Sequence, residues 1–93
     1  MSMREGEIIV MDPIGLHARP AAQLVALANE AASAVRIRNV TTSSQWVDAK
    51  SILNILTLGA EQGHAVALEV DGLDADAVFE SLVSSIEGAE SDG

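Results

Sequence analysis

The sequence predicts a small α+β domain in which helices gather on one face of a mainly antiparallel sheet. Its 93 residues suffice for one compact domain, with room for a single layer of helices on one sheet. Segments with strand-like alternation are interspersed with segments of helical spacing, in the order strand, helix, strand, strand, helix, strand, helix. No internal repeat and no linker interrupts this order, which favours one layered α+β fold over two domains.

The first strand and the first helix are separated by a turn. The β-branched run Glu7 to Met11 is typical of a strand and is closed by Asp12-Pro13. A helix is predicted to begin near Ala18 and to end at about Glu30. Pro20 fits its first turn, where a missing N–H breaks no helical bond. The apolar stripe of this helix consists of Leu24, Leu27, Ala28 and Ala31.

The middle of the chain predicts a hairpin. Val35, Ile37 and Asn39 alternate with two arginines, which indicates a half-buried strand. The polar run 41–44 is a turn, and Gln45 to Asp48 is predicted to return as the second strand.

The last three elements follow in the same way. Ser51 can cap a short helix that runs through Leu58, with Gly59 as its C-terminal cap. Ala65 to Asp71 alternates as a strand, and Asp74 or Asp76 starts the final helix. The apolar positions of that helix are Ala75, Val78, Phe79, Leu82, Val83 and Ile86. We expect one domain over residues 1–88 and a short acidic tail over residues 89–93.

Charge is distributed unevenly along the chain. The net charge of -9 comes from five basic and fourteen acidic side chains, and no cation follows Lys50. We therefore expect no nucleic-acid partner and no anionic membrane partner, because both require a basic face. Any anion site must lie near Arg19 or Lys50, or on the strand that carries Arg36 and Arg38.

The chain lacks the usual signs of secretion or membrane insertion. It has no cysteine, no run of about 18 apolar residues and no signal-peptide pattern at its start. We therefore expect a cytoplasmic protein with no membrane insertion. The two histidines have no acids at ligand spacing, so we expect no metal site and no cofactor. His64, at a strand start, is expected to be a solvated surface residue.

The segment around His17 is the most informative one. A histidine at the N-cap or first position of a helix is unusual, because Ser, Asp, Asn or Thr would cap better. A neutral imidazole nitrogen at this place can act as a nucleophile. An anion attached to it would lie against the free N–H groups of Ala18 and Arg19 and beside the Arg19 guanidinium. The alternative is that His17 simply starts a helix on a surface turn.

Two ordered motifs carry a family resemblance. The first is the run from Gly15 to Ala22, Gly-Leu-His-Ala-Arg-Pro-Ala-Ala, and the second begins at Ala49 with Ala-Lys-Ser-Ile-Leu and continues with Leu58-Gly59 and Gln62-Gly63. Together they resemble the family of histidine-containing phosphocarrier proteins, HPr, of the phosphoenolpyruvate-dependent sugar phosphotransferase system. The resemblance extends from about Glu5 to Ile86. It implies an open-faced β-sandwich, with a four-stranded antiparallel sheet under three helices.

The resemblance also implies roles for individual residues. His17 would accept a phosphoryl group on Nδ1 from phosphorylated enzyme I and pass it to the A domain of a sugar permease, so that the protein is a carrier and not an enzyme. Arg19 would steady the phosphoryl charge. Ser51 matches a serine that a dedicated HPr kinase phosphorylates in some bacteria, although a serine at a helix start is most often only a cap.

A docking surface is expected on the second helix. Its apolar residues are too numerous for one inward stripe, so that Ile52, Leu53 and Leu56 could form an exposed patch, with Lys50 at its rim. The enteric relatives carry lysines where this chain has Ala26, Asn29 and Asn54, and attraction to acidic partners should be weaker here.

The resemblance leaves a second function open beside sugar transport. It is a regulatory paralogue, in a nitrogen-related branch or a dihydroxyacetone kinase relay, that acts by phosphorylation-dependent protein binding. In either case we expect a monomer.

Overall fold

The computed structural model describes residues 2–87, and the predicted acidic tail over residues 89–93 lies outside the described residues. The order βαββαβα is confirmed. The elements are β1 (Ser2–Ile9), α1 (Ala18–Glu30), β2 (Ala34–Asn39), β3 (Val47–Asp48), α2 (Ile52–Thr57), β4 (Ala65–Gly72) and α3 (Ala75–Glu87).

The four strands form one antiparallel sheet in the order β1-β4-β2-β3. Strand β4 is therefore central, with Val66 opposite Ile8 of β1 and Leu68 opposite Ile37 of β2. Because side chains alternate along a strand, these residues all point to the face that the helices cover. The predicted four-stranded sheet with three helices is confirmed.

The core lies between this sheet face and the helices. Helix α3 packs on β1 and β4, while α1 packs against α3 and α2. The largest fully buried apolar side chains come from the sheet, from all three helices and from the loop before α1: Val10, Leu16, Leu24, Val35, Ile37, Ile55, Val66, Leu68, Val70, Leu82 and Ile86.

The opposite face of the sheet is open, and it carries exposed Met3 and Ile9 as well as charged residues. Arg36 pairs with Glu69 directly across from it in the register, with 2.8 Å between Arg36 Nε and Glu69 Oε1. The half-buried Trp46 lies beside this pair, its ring centroid 5.5 Å from the Arg36 guanidinium and 5.9 Å from that of Arg38. This side of the sheet is thus supported by charge and stacking contacts instead of a second layer.

Two predicted strand boundaries were wrong. Strand β1 covers Ser2–Ile9, not Glu7 to Met11, because its first half is stabilised by pairing with β4 and has little apolar sequence of its own. Strand β3 is limited to Val47–Asp48 instead of Gln45 to Asp48. The turn before it is held by Ser44, whose N–H donates to the Asn39 carbonyl and whose hydroxyl accepts from the Asn39 N–H.

Asp74 immediately precedes α3 but ties it to the far end of α1. Its carboxylate accepts the N–H groups of Ala32 and Ser33, at 2.9 Å and 3.0 Å, and the Ser33 hydroxyl. The Ser33 hydroxyl and these amides hold the pKa of Asp74 below its usual range. Asp74 was predicted only as the start of a helix; the structure adds a long-range link to the connection between α1 and β2.

The helices are also short in relation to a bilayer. Among residues 2–87, no helix has both the length and the apolar character needed to cross a membrane.

Candidate functional site

His17 is the N-cap residue of α1. Its backbone is extended, with φ -130° and ψ 164°, and its side chain makes no capping hydrogen bond. The imidazole is 35% exposed. A side chain at an N-cap normally accepts a backbone N–H, so this ring is left available for another role.

Within residues 2–87, the first two amides of α1 have no hydrogen-bond acceptor. The first helical backbone bond runs from the Ala21 N–H to the His17 carbonyl, at 3.4 Å. The N–H groups of Ala18 and Arg19 come before it and have no acceptor within the helix, and Pro20 has no N–H. Two donors at the positive end of the helix dipole therefore follow His17 directly, and their part in holding a phosphoryl group stays a prediction.

Ala18 occupies the left-handed region, with φ 51°. For a residue with a Cβ this conformation costs about 1–2 kcal/mol. It occurs between the extended His17 and Pro20, whose φ is fixed by its ring. The first turn of the helix thus contains a strained residue at the point where the candidate acceptor joins it.

The loop that carries His17 is attached to the turn before β4. Gly15 has φ 77°, and a Cβ at this position would lie 2.4 Å from the Ala60 carbonyl oxygen. The next N–H, that of Leu16, donates to the same oxygen at 2.8 Å. Leu16 itself is buried in the core. The backbone contact with Ala60 and the buried Leu16 side chain together fix the position of His17.

Arg19 differs from the other cations. Arg4 pairs with Asp76 and Glu80, and Arg36 pairs with Glu69. Arg38 donates to the Ser44 carbonyl, and Lys50 Nζ donates to the Ala31 carbonyl at 3.2 Å. Over residues 2–87, Arg19 alone among the five cations has neither a hydrogen bond nor an ion pair from its side chain, and it is exposed.

The sequence did not identify one neighbour of His17. Glu61 Oε2 lies 3.5 Å from His17 Nε2, and the glutamate side chain is 62% exposed. Glu61 lies far from His17 along the chain, so neither helical nor strand spacing relates the two. The sequence signal next to Glu61 is Gln62-Gly63, which predicts a turn but does not indicate which residues the turn contacts.

The expectation for His64 was wrong. It is half-buried, and its Nδ1 accepts the Glu61 N–H at 3.1 Å while lying 3.1 Å from the Asn39 side-chain nitrogen. Because Nδ1 accepts, the ring proton is on Nε2. The His64 N–H also donates to the Glu61 carbonyl, at 3.0 Å. His64 therefore braces the turn that presents Glu61.

Ser51 is the N-cap of α2, and its hydroxyl accepts the Asn54 N–H at 3.3 Å. The cap expected from the sequence is confirmed. Lys50, just before it, points its ammonium group toward the end of α1, where it donates to Ala31. Its part in docking and the modification of Ser51 stay predictions.

Helix α2 divides its apolar residues between the core and the solvent. Ile55 and the C-cap residue Leu58 are buried, whereas Leu53 is 70% exposed and Ile52 and Leu56 are also exposed. The structure thus provides the expected exposed apolar patch. Ile14, in the loop before His17, is exposed as well and was not predicted.

These features define a class of protein: a small α+β domain that presents a partly exposed histidine at a helix N-terminus. The model of the family described as "PTS HPr component phosphorylation site" matches residues 4–88. The chain belongs to this HPr family of phosphocarriers of the phosphotransferase system.

Individual relatives agree with this assignment. The chain is 43% identical over 82 residues to the phosphocarrier protein HPr of Lysinibacillus sphaericus, covering 88% of this chain and 90% of that protein. It is 38% identical over 81 residues to the multiphosphoryl transfer protein of Haemophilus influenzae, covering 87% of this chain and 16% of that protein. The crystal structure of HPr from Bacillus anthracis superposes with a TM-score of 0.85 at 30% identity, covering 92% of this chain and 99% of the other.

Proposed function

We propose that His17 accepts a phosphoryl group from phosphorylated enzyme I and passes it to the A domain of sugar-specific permeases. In each transfer the Nδ1 lone pair, or the next acceptor, attacks phosphorus while the bond to the donor breaks. The protein is thus the phosphorylated intermediate and not the catalyst of a reaction on a small substrate.

The observation that carries this proposal is the N-cap position of an imidazole that caps nothing. A phosphoryl group on this ring would lie beside the free N–H groups of Ala18 and Arg19. The helix dipole contributes about 0.3–1 kcal/mol, and each hydrogen bond to a charged group contributes about 1.5–3 kcal/mol. Such energies steady a phosphoryl group without trapping it, which suits a carrier.

Arg19 is assigned the role of neutralising the transferred group. Its guanidinium is exposed and makes no ion pair within residues 2–87, so no internal contact must be broken before it meets a phosphoryl oxygen or a partner carboxylate. A dianion beside a free cation is favoured, while most of the chain's remaining charge is negative.

Partner binding is assigned to Ile52, Leu53 and Leu56, with Lys50 beside them. These apolar side chains are exposed on α2, next to the buried Ile55 that anchors the helix. An exposed apolar patch of this kind can serve several partners. Phosphorylation of Ser51 by an HPr kinase would place nearly two negative charges at the edge of this patch and weaken docking.

The test is a two-stage transfer assay. The protein is incubated with labelled phosphoenolpyruvate and enzyme I, separated, and then mixed with a permease A domain. We expect one labelled phosphoryl group per chain, followed by its movement to the A domain. His17→Ala should accept no label, and Arg19→Gln should accept it more slowly.

Two outcomes would overturn the proposal. One is an absence of label on the wild-type protein with competent enzyme I. The other is label that enters but is not delivered to any sugar-permease A domain, which would favour the regulatory alternative.

A further inference from the structure

The contact between Glu61 and His17 joins a carboxylate to the one ring nitrogen that the transfer does not use. Glu61 Oε2 lies 3.5 Å from Nε2, while the phosphoryl group is assigned to Nδ1. We infer that Glu61 is a positioning residue, which holds the proton on Nε2 and thereby sets both the reactive nitrogen of His17 and the lifetime of its phosphoryl group. This inference rests on the proposed function.

The position of Glu61 is fixed by its backbone. Its N–H donates to His64 Nδ1 and its carbonyl accepts the His64 N–H. The preceding carbonyl, that of Ala60, accepts the Leu16 N–H from the loop that carries His17. The same short turn therefore holds the loop and presents the carboxylate, so the contact does not depend on a freely moving segment.

Other charged groups around His17 do not replace this carboxylate. Asp12, in the loop before it, accepts the Ile14 N–H at 2.9 Å. Arg19 follows in α1, and His64 is engaged with the Glu61 backbone. Helix α2 has no charged side chain. Within residues 2–87, Glu61 is the acidic residue that contacts the imidazole.

The chemical effect follows from the two ring nitrogens. A neutral imidazole with its proton on Nε2 has its lone pair on Nδ1, which is therefore the nucleophile. After phosphorylation at Nδ1, a proton on Nε2 makes the ring cationic. When a water oxygen, or the next acceptor, bonds to phosphorus and the phosphorus–Nδ1 bond breaks, the electron pair of that bond returns to Nδ1, Nε2 keeps its proton, and neutral imidazole leaves.

Glu61 should accelerate that cleavage, because a nearby carboxylate favours the cationic ring. The contact is half open to solvent, so the effect is modest. A partly exposed ion pair changes such an equilibrium by about twofold to fivefold. Removing the carboxylate should lengthen the life of the phosphoryl group near neutral pH by that factor.

The test compares Glu61→Ala with Glu30→Ala, which removes the same charge at the other end of α1. Glu30 lies roughly 20 Å from His17 along the helix, beyond the screening length at physiological salt. The first measurement is the ¹⁵N spectrum of the histidine rings without any phosphoryl donor. We expect the ratio of Nε2–H to Nδ1–H tautomer at His17 to fall about twofold to fivefold in Glu61→Ala, and to stay unchanged in Glu30→Ala.

The second measurement loads the protein with phosphoramidate, whose phosphoryl group moves to the ring as ammonia leaves. Hydrolysis is followed by ³¹P NMR over a pH series, with no enzyme I present. In Glu61→Ala, the midpoint between fast and slow hydrolysis should move to lower pH. A merely structural role, or simple repulsion of the phosphoryl group, would change the rate at every pH without moving the midpoint.

The inference is overturned if the tautomer ratio of Glu61→Ala equals that of the wild type, or if the hydrolysis midpoint does not move. Label on Nε2 of the wild-type ring would also overturn it. Because neither measurement uses enzyme I, a protein that enzyme I cannot load would contradict the proposed function and leave these results standing.

Discussion

At the scale of single residues, the site depends on backbone conformations that few side chains tolerate. Gly15 and Gly59 both have positive φ, at 77° and 58°. They differ in their surroundings, because a Cβ at residue 15 would meet the Ala60 carbonyl at 2.4 Å, whereas a Cβ at residue 59 would meet nothing within 4 Å. Alanine substitutions at these two glycines therefore distinguish two costs. Both place an alanine at positive φ, but only the substitution at residue 15 also disrupts the close contact with Ala60.

We predict that Gly15→Ala destabilises the protein more than Gly59→Ala. The second substitution should cost about 1–2 kcal/mol for the left-handed alanine alone. The first should cost about 1–3 kcal/mol more, because the loop must also move away from Ala60. Urea unfolding followed by circular dichroism measures both. Equal losses would show that the contact with Ala60 contributes nothing.

Residue-scale prediction from sequence succeeded where a local rule was broken. His17 was predicted as a site residue because histidine is a poor N-cap. The structure places it at the N-cap of α1. Glu61 was not predicted and His64 was predicted wrongly, because their roles arise from contacts that the local sequence does not indicate. No local pattern encodes which side chain a turn presents to another turn.

At the scale of elements, Asp74 connects the start of α3 with the end of α1. Its carboxylate accepts two backbone amides and one hydroxyl from residues 32 and 33. These donors favour the charged form, so the pKa of Asp74 is lower in the folded protein than in the unfolded chain. Its contribution to stability is therefore complete above the unfolded pKa and is lost as pH falls through the folded one.

We predict a pH-dependent effect of Asp74→Asn. The variant should have a lower free energy of unfolding than the wild type at pH 7. This difference should shrink as pH falls below about 4, where the wild-type carboxylate takes up its proton. Urea titrations at several pH values test this, with Asp71→Asn, an exposed position in β4, as the control. A difference that stays constant down to pH 2 would contradict the assignment.

Element boundaries were predictable where a helix cap or a turn residue marks them. Helix α1 begins and ends where the sequence indicated, and Ser51 caps α2. The first half of β1 was missed because its pairing partner, β4, supplies the stability that its own sequence does not indicate. Strand pairing between distant segments is not visible in either segment alone.

At the scale of the whole molecule, the core lies between the helices and one face of the sheet, and the candidate site lies at the N-terminal end of α1. Strand β4 is central in the sheet, and its Leu68 is fully buried. Leu73, just after the same strand, is 85% exposed. On the open face of the sheet Arg36 pairs with Glu69, whereas Arg19, two residues after His17, has no ion pair within residues 2–87.

We predict that the two leucines respond very differently to truncation. Leu68→Ala should cost about 2–5 kcal/mol, because it leaves a cavity in the centre of the core. Leu73→Ala should change the free energy of unfolding by no more than about 0.5 kcal/mol. Thermal and urea unfolding of both variants measure this. Similar losses would mean that the core does not centre on β4.

The central claim is that the phosphoryl group resides on Nδ1 of His17. The most direct measurement is ³¹P–¹⁵N NMR of the protein, labelled with ¹⁵N-histidine and loaded by enzyme I with phosphoenolpyruvate. We expect one phosphorus signal coupled to Nδ1 of His17 and none on His64. A signal coupled to His64, or phosphate found on Ser51 with His17 unmodified, would contradict the account.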